Sequence, residues 1–205
     1  MKISSSRKSV RKGFTLIEMI GVLAVIAILA SLLIPKIYEA INNSRISNAS
    51  LSYNTIKTAL ADHYAKFGSL TSSNGAIIAV GVGEATNFDK VLITEGFLDK
   101  PFEVKIGSGS YVEVVAAIPA TTAADGVNSS YDLDGGGAVN DATGSAVVEA
   151  VIPNVTLGDA FALSTLLDGA TLSAANSSVG SDDFKGRVKY AATATTTVHI
   201  YVTHR

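Results

Sequence analysis

The chain has 205 residues, a formal charge of −2 and no cysteine, which excludes a disulfide framework, thiol chemistry and lipid attachment through a cysteine. Five of its 16 basic residues (Lys2, Arg7, Lys8, Arg11 and Lys12) precede Gly13, leaving 11 against 18 acidic residues and a side-chain charge of −7 for the remainder. So acidic a body argues against a nucleic-acid surface, which needs clustered Lys and Arg to replace phosphate counterions, and the length suits an anchor plus one globular domain of ordinary size.

The basic leader runs into Gly13-Phe14-Thr15-Leu16-Ile17-Glu18 and then an apolar run from Met19 to Ile34. Phe14 to Ile34 approaches the ~20 residues a spanning helix needs. Positive charge stays cytoplasmic, so the C-terminal bulk is expected across the membrane. An ordinary secretory signal peptide is the alternative, but its apolar core is shorter and ends at a small-residue site; here the run leads into Pro35-Lys36. Glu18 is the informative residue. An acidic side chain at membrane depth costs roughly 3 kcal/mol on insertion scales, so such residues usually have a function and a partner. The alternative is a carboxylate that merely snorkels to the interface.

Lys12-Gly13-Phe14-Thr15-Leu16-Ile17-Glu18, continuing to Pro35, resembles the prepilin signature shared by type IV pilins, type II secretion pseudopilins and competence pilins. The resemblance covers the first quarter of the chain. It implies that a membrane aspartyl peptidase, the prepilin peptidase, cuts after Gly13 on the cytoplasmic face and that the new amine of Phe14 is methylated. It also implies that an assembly ATPase and an inner-membrane platform protein extract the subunit from the lipid into a helical filament with other copies and related pilins. A glycine leaves the backbone unobstructed where a protease must approach. The Phe14 amine of one subunit can meet Glu18 of another in an apolar bundle, where the low effective dielectric strengthens the attraction. Glu18 then pins the assembly register.

Past Pro35, Ile37, Ile41, Ala49, Tyr53, Ile56, Leu60, Tyr64 and Phe67 recur at spacings of three, four or their multiples, which predicts one apolar stripe on a continuing helix. Gly68 is the expected stop. The helix is then about 50 residues and about 75 Å long. Pro35 removes a backbone hydrogen bond, so a kink is expected there. In the family the helix often loosens just before such a proline, frequently from a glycine; Ala24 to Ile34 contains none.

From Ser69 the composition shifts to Gly, Ser, Thr, Ala and Val. A connection is expected over 69–101, with a short helix around Asn87 to Leu92 and a turn over Gly96 to Pro101. Strands are expected at Phe102–Ile106, Tyr111–Ile118, Val147–Ile152, Arg187–Ala191 and Thr196–Thr203, the last from the alternation of Val198, Ile200 and Val202 with His199, Tyr201 and Thr203. A short helix is expected over Gly158–Asp168. The fold class is therefore α+β: a long N-terminal helix packed on a C-terminal antiparallel sheet, since the stripe must be buried against another layer. The divisions are a leader (1–13), a transmembrane and filament-core helix (14–35), an amphipathic helix (36–68), a connecting loop (69–101) and a β-rich globular domain (102–205).

Asp132-Leu133-Asp134-Gly135-Gly136-Gly137, followed by Asn140-Asp141, has alternating carboxylates that could grip Ca²⁺, a hard cation wanting oxygen ligands. Some pseudopilins bind calcium in a loop of their globular part. The EF-hand pattern is absent, since Gly136 replaces its third acidic position and Thr143 stands at the twelfth. The competing reading is a polar glycine turn. No catalytic constellation appears: His63, His199 and His204 are isolated in sequence, and no nucleophile elbow, P-loop or H-E-x-x-H is present. Tyr38, Tyr53 and Tyr64 read as packing residues.

These readings describe a structural subunit of a type IV pilus-like filament, not an enzyme, first in the bacterial inner membrane with its C-terminus outside the cytoplasm and then in a periplasmic or surface filament. The alternatives are a secretion pseudopilin and, from another class, a membrane-anchored binding module that never polymerises. The absence of cysteine leans toward the pseudopilin and the absence of Trp away from the main one.

Overall fold

The computed structural model describes residues 13–68, 70, 87–116, 130–137, 140–143 and 146–204. The leader before Gly13, most of the expected connection and the end of the strand expected at 117–118 lie outside these residues. The chain divides into two compact units, Met1–Ile41 and Asn42–Arg205. Helix α1 is Leu16–Phe67 and continues through Pro35. It ends where expected, at Gly68, whose φ of 69° suits a residue without a Cβ and whose N–H reaches the Tyr64 carbonyl at 2.8 Å.

In the second unit Ile46, Ala49, Tyr53, Ile56, Leu60 and His63 of α1 are buried, alternating steps of three and four that keep one face inward. The expected stripe is thus displaced at its ends: Ile37 and Ile41 stay about half exposed, and Ile46 and His63 join the buried face. The sheet is antiparallel, in order β1-β2-β4-β3, with β1 Tyr111–Ala116, β2 Ala146–Thr156, β3 Val188–Lys189 and β4 Thr195–His204. Its inner face contributes Val112, Val114, Val148, Ala150, Ile152, Val188, Val198, Ile200 and Val202 to one core with the α1 stripe. Two short helices complete that core, α2 (Phe88–Thr94) through Phe88 and Leu92 and α3 (Leu157–Asp168) through Leu157, Ala160 and Leu163. α3 is capped by Thr156, whose hydroxyl oxygen accepts from the Asp159 N–H. The tyrosine reading holds for Tyr53, which is buried and donates to the Tyr201 carbonyl at 2.8 Å, whereas Tyr38 is exposed.

Three expected strands differ from the structure. Phe102–Ile106 is not a strand. The Phe102 N–H donates to Asp89 Oδ2 at 3.0 Å, the Val104 N–H to Ser110 Oγ at 3.2 Å, and Ser110 Oγ donates to the Phe102 carbonyl at 2.9 Å. Side chains answer the polar groups that a neighbouring strand would otherwise take. β3 is shorter than Arg187–Ala191 because the Arg187 N–H goes to the Asp168 carboxylate and, past Lys189, the Tyr190 N–H goes to the Asp183 carbonyl. β2 runs past Ile152 because the register shift between Ile152 and Val155 absorbs Pro153, and bulges are where sheets accept proline.

That bulge receives a turn from the segment before β1. The Ser108 N–H donates to the Pro153 carbonyl at 2.9 Å, while Gly107 has φ 62° and a Cβ there would stand 2.3 Å from the same oxygen. Gly107→Ala is therefore expected to destabilise the second unit by about 2–4 kcal/mol, from left-handed strain plus a backbone clash. Urea unfolding followed by circular dichroism checks it; an unchanged midpoint would refute the packing argument.

Candidate functional site

The N-terminal end of α1 is built on Thr15 and Glu18. Glu18 Oε2 accepts from the Thr15 N–H and from Thr15 Oγ1, each at 2.8 Å. Thr15 Oγ1 in turn accepts from the Glu18 N–H at 3.3 Å, and the Met19 N–H begins the helical ladder on the Thr15 carbonyl. This is a reciprocal capping box, Thr-x-x-Glu, which satisfies two donors that a helix start leaves unpaired. The same four residues, Thr15-Leu16-Ile17-Glu18, carry the pattern in the sequence. Glu18 Oε1 has no hydrogen bond to another described residue.

Gly13 is open: a Cβ would meet nothing within 4 Å, and its backbone is not left-handed. Packing therefore does not require a glycine there. Phe14 is 85% exposed, and Leu16, Ile17, Ile20, Leu23, Ile26, Leu29 and Ile34 are all exposed along α1. The apolar part of α1 is long enough to cross a membrane, and none of it is buried within the protein. So large an uncovered apolar surface needs lipid or other helices. Pro35 lies inside α1, with a Lys36–Glu39 ion pair at 2.8 Å in the turn after it.

In the Asp132–Asp141 segment the carboxylates of Asp132, Asp134 and Asp141 come within 4.8 Å of one another. Asn140 is turned elsewhere, its Oδ1 accepting from the N–H groups of Tyr131 and Ala142. The carboxylates also order the turn. Asp134 accepts from Gly136, Asp132 from Gly137, and Asp141 from both Leu133 and Asp134. Such bonds are what Asp and Gly supply in a turn, so three of the four calcium candidates converge on a segment whose oxygens already serve its own backbone.

The outer face of the sheet, where the alternation in β4 places His199 and Tyr201, also gathers polar residues of β1, β2 and β3. Glu113 and Glu149 are directly opposite in register, as are Val151 and His199 and, on the next strand pair, Lys189 and His199. Glu149 is buried; its Oε2 accepts from the Tyr131 hydroxyl at 2.5 Å and its Oε1 lies 3.2 Å from His199 Nδ1. Lys189, also buried, donates to the Ser130 carbonyl at 3.0 Å and sits 4.2 Å over the Tyr131 ring. Burial works to raise the Glu149 pKa, but His199, Tyr131 and Lys189 outweigh it and hold the group below its usual value. Glu113, with burial and the Glu149 charge against it, is pushed up to about 7. A signal was available: Glu149 interrupts Val147 to Ile152 just as Glu18 precedes an apolar run. His63, isolated in sequence, is likewise buried, with Nδ1 2.6 Å from Glu95 Oε2 among Phe67, Phe88 and Phe97.

Another buried acid sets a pH dependence. Asp183 accepts from Ser164 Oγ at 2.6 Å, and burial raises its pKa to about 6. The folded chain then holds this proton more tightly than the unfolded one, whose value is about 4. The contribution to stability therefore falls as pH rises from about 4 to about 6 and levels off above. Asp183→Asn is expected to remove that part of the slope, measured as thermal midpoints across the interval; an unaltered slope would contradict it.

Residues 8–34 match the family model described as the prokaryotic N-terminal methylation motif. The chain is similar to a fimbrial protein of Neisseria meningitidis serogroup A, serotype 4A, with 29% identity over 121 residues, 59% of this chain and 61% of that protein. It is also similar to the fimbrial protein EcpC of Eikenella corrodens, with 36% identity over 69 residues, 34% of this chain and 45% of that protein. The chain thus spans less than two thirds of the length of either relative. No solved structure matches it.

Proposed function

We propose that this chain, similar to fimbrial proteins and carrying the N-terminal methylation motif, is a structural subunit of a type IV pilus-like filament, processed after Gly13 and polymerised through α1. The carrying observation is an uncovered apolar helix whose first turn holds a carboxylate with one oxygen committed to its own helix start. In this reading Glu18 has two tasks. Oε2 caps α1, and Oε1 receives the Phe14 ammonium of a neighbouring subunit once the leader has been removed. A subunit out of axial register leaves both charges unpaired in an apolar bundle, at a cost of about 3–5 kcal/mol. Gly13, which the fold does not require, is kept for the peptidase, and Phe14 carries the methyl group. Pro35 weakens the backbone ladder of the core-forming segment.

The partners of this reading are other copies of the chain, related pilins, the prepilin peptidase, and the inner-membrane platform with its ATPase. Before assembly α1 lies in the inner membrane with the acidic body outside the cytoplasm, as the basic leader favours. Both relatives are fimbrial proteins, which supports a surface pilus over a secretion pseudopilus. The test is mass spectrometry of the chain from cells that contain a prepilin peptidase. Loss of Met1 to Gly13 and one added methyl on Phe14 are expected; an intact leader would overturn the proposal in favour of an anchored module.

A further inference from the structure

We propose that Glu113, Glu149 and His199 form a binding site for a divalent transition-metal ion of the zinc type on the outer face of the sheet. One ligand comes from each of β1, β2 and β4, and the three side chains offer donor atoms within 4.8 Å of one another. Glu149 Oε1 and His199 Nδ1 stand 3.2 Å apart. That is long for a charge-assisted hydrogen bond and close to the edge of a tetrahedron with metal–ligand distances near 2.0 Å, about 3.3 Å. Tyr131 donates to the other oxygen of Glu149, the outer-shell contact that orients a metal-binding carboxylate.

Without an ion, a proton on Glu113 links it to Glu149, beside the contacts of Glu149 with Tyr131 and His199. When both are ionised, two carboxylates directly opposite across a β ladder repel; the Lys189 ammonium, bonded to the Ser130 carbonyl and set over the Tyr131 ring, favours the charge on Glu149. A cation in place of the Glu113 proton offsets that repulsion with both carboxylates ionised and ties three strands together. One imidazole with two carboxylates selects a borderline ion over calcium, which takes oxygen ligands in larger number. With three protein ligands a fourth position stays open to water or to a donor from outside the chain. The site is independent of the filament reading, since none of its residues lies on α1.

The test uses the full chain in detergent micelles, freed of metal by a chelator and titrated with Zn²⁺ against a chromophoric competitor. One saturable Zn²⁺ per chain is expected, with a higher thermal midpoint. Co²⁺ in its place is expected to give the intense visible bands of a tetrahedral site. Glu113→Gln and His199→Gln, each confirmed as folded by circular dichroism, are expected to weaken Zn²⁺ at least about tenfold, while Asp134→Asn in the other acidic cluster leaves it unchanged. The proposal is overturned if the wild-type chain binds no stoichiometric Zn²⁺ or gives only an octahedral Co²⁺ spectrum. Equal affinity in the Glu113 and His199 variants, or loss only in Asp134→Asn, overturns it too. The first two measurements decide the matter even where a variant fails to fold.

Discussion

Glu18→Gln is expected to leave the chain in the membrane and reduce filament assembly by two or more powers of ten. The amide oxygen can still accept from Thr15, so the capping box is largely kept, but the charge proposed to meet the neighbouring Phe14 ammonium is gone. An ammonium left unpaired in an apolar bundle costs about 3–5 kcal/mol per contact, and about 1.4 kcal/mol is tenfold in an association constant. Thr15→Ala makes the complementary change. It removes the hydroxyl that bonds Glu18 and keeps the carboxylate, so the loss is that of a helix cap, about 1 kcal/mol, and filaments are expected to persist. The measurement is the fraction of the chain in sheared filaments against that left in membranes. Normal filaments from Glu18→Gln, or equal loss from both variants, would show that the charge does not set the register.

Asp168→Ala is expected to destabilise the second unit by about 3–5 kcal/mol. The carboxylate at the end of α3 is buried and accepts from the N–H groups of Arg187 and Val188 at 2.8 and 2.7 Å and from Arg187 Nε at 2.9 Å. Arg187 also donates to the Leu167 carbonyl. One acid therefore fastens the end of α3 to the start of β3, and its removal strands two backbone donors. Gly186 belongs to the same arrangement, because a Cβ there would stand 2.7 Å from Asp168 Oδ2. Urea unfolding is the check. A loss below about 1 kcal/mol would mean that water reaches the donors and that Asp168 is not the fastener.

The same logic explains which parts of the sequence were legible. Elements held by local periodicity could be read: the end of α1 at Phe67 and Gly68, α3 starting within a residue of its expected position, and β4 with Val198, Ile200 and Val202 inward. Elements whose backbone bonds go to distant side chains could not. Phe102 to Ile106 has the apolar composition of a strand, but Asp89 and Ser110 take its polar groups. β3 is held to two residues because the Asp168 carboxylate takes the Arg187 N–H and the Asp183 carbonyl that of Tyr190.

By itself the sequence determined that a basic leader, an open glycine and a lone acid precede a membrane-length helix, because charge, apolar length and periodicity are properties of neighbouring residues. It also contained the Thr15–Glu18 capping box, a local motif. Only the tertiary structure decided that Glu113, Glu149 and His199 share one face, that Asn140 leaves the cluster of Asp132, Asp134 and Asp141, and that His63 meets Glu95. Those pairings depend on strand register and loop closure over tens of residues, and a single shift of register would turn Glu113, Glu149 or His199 to the opposite face of the sheet.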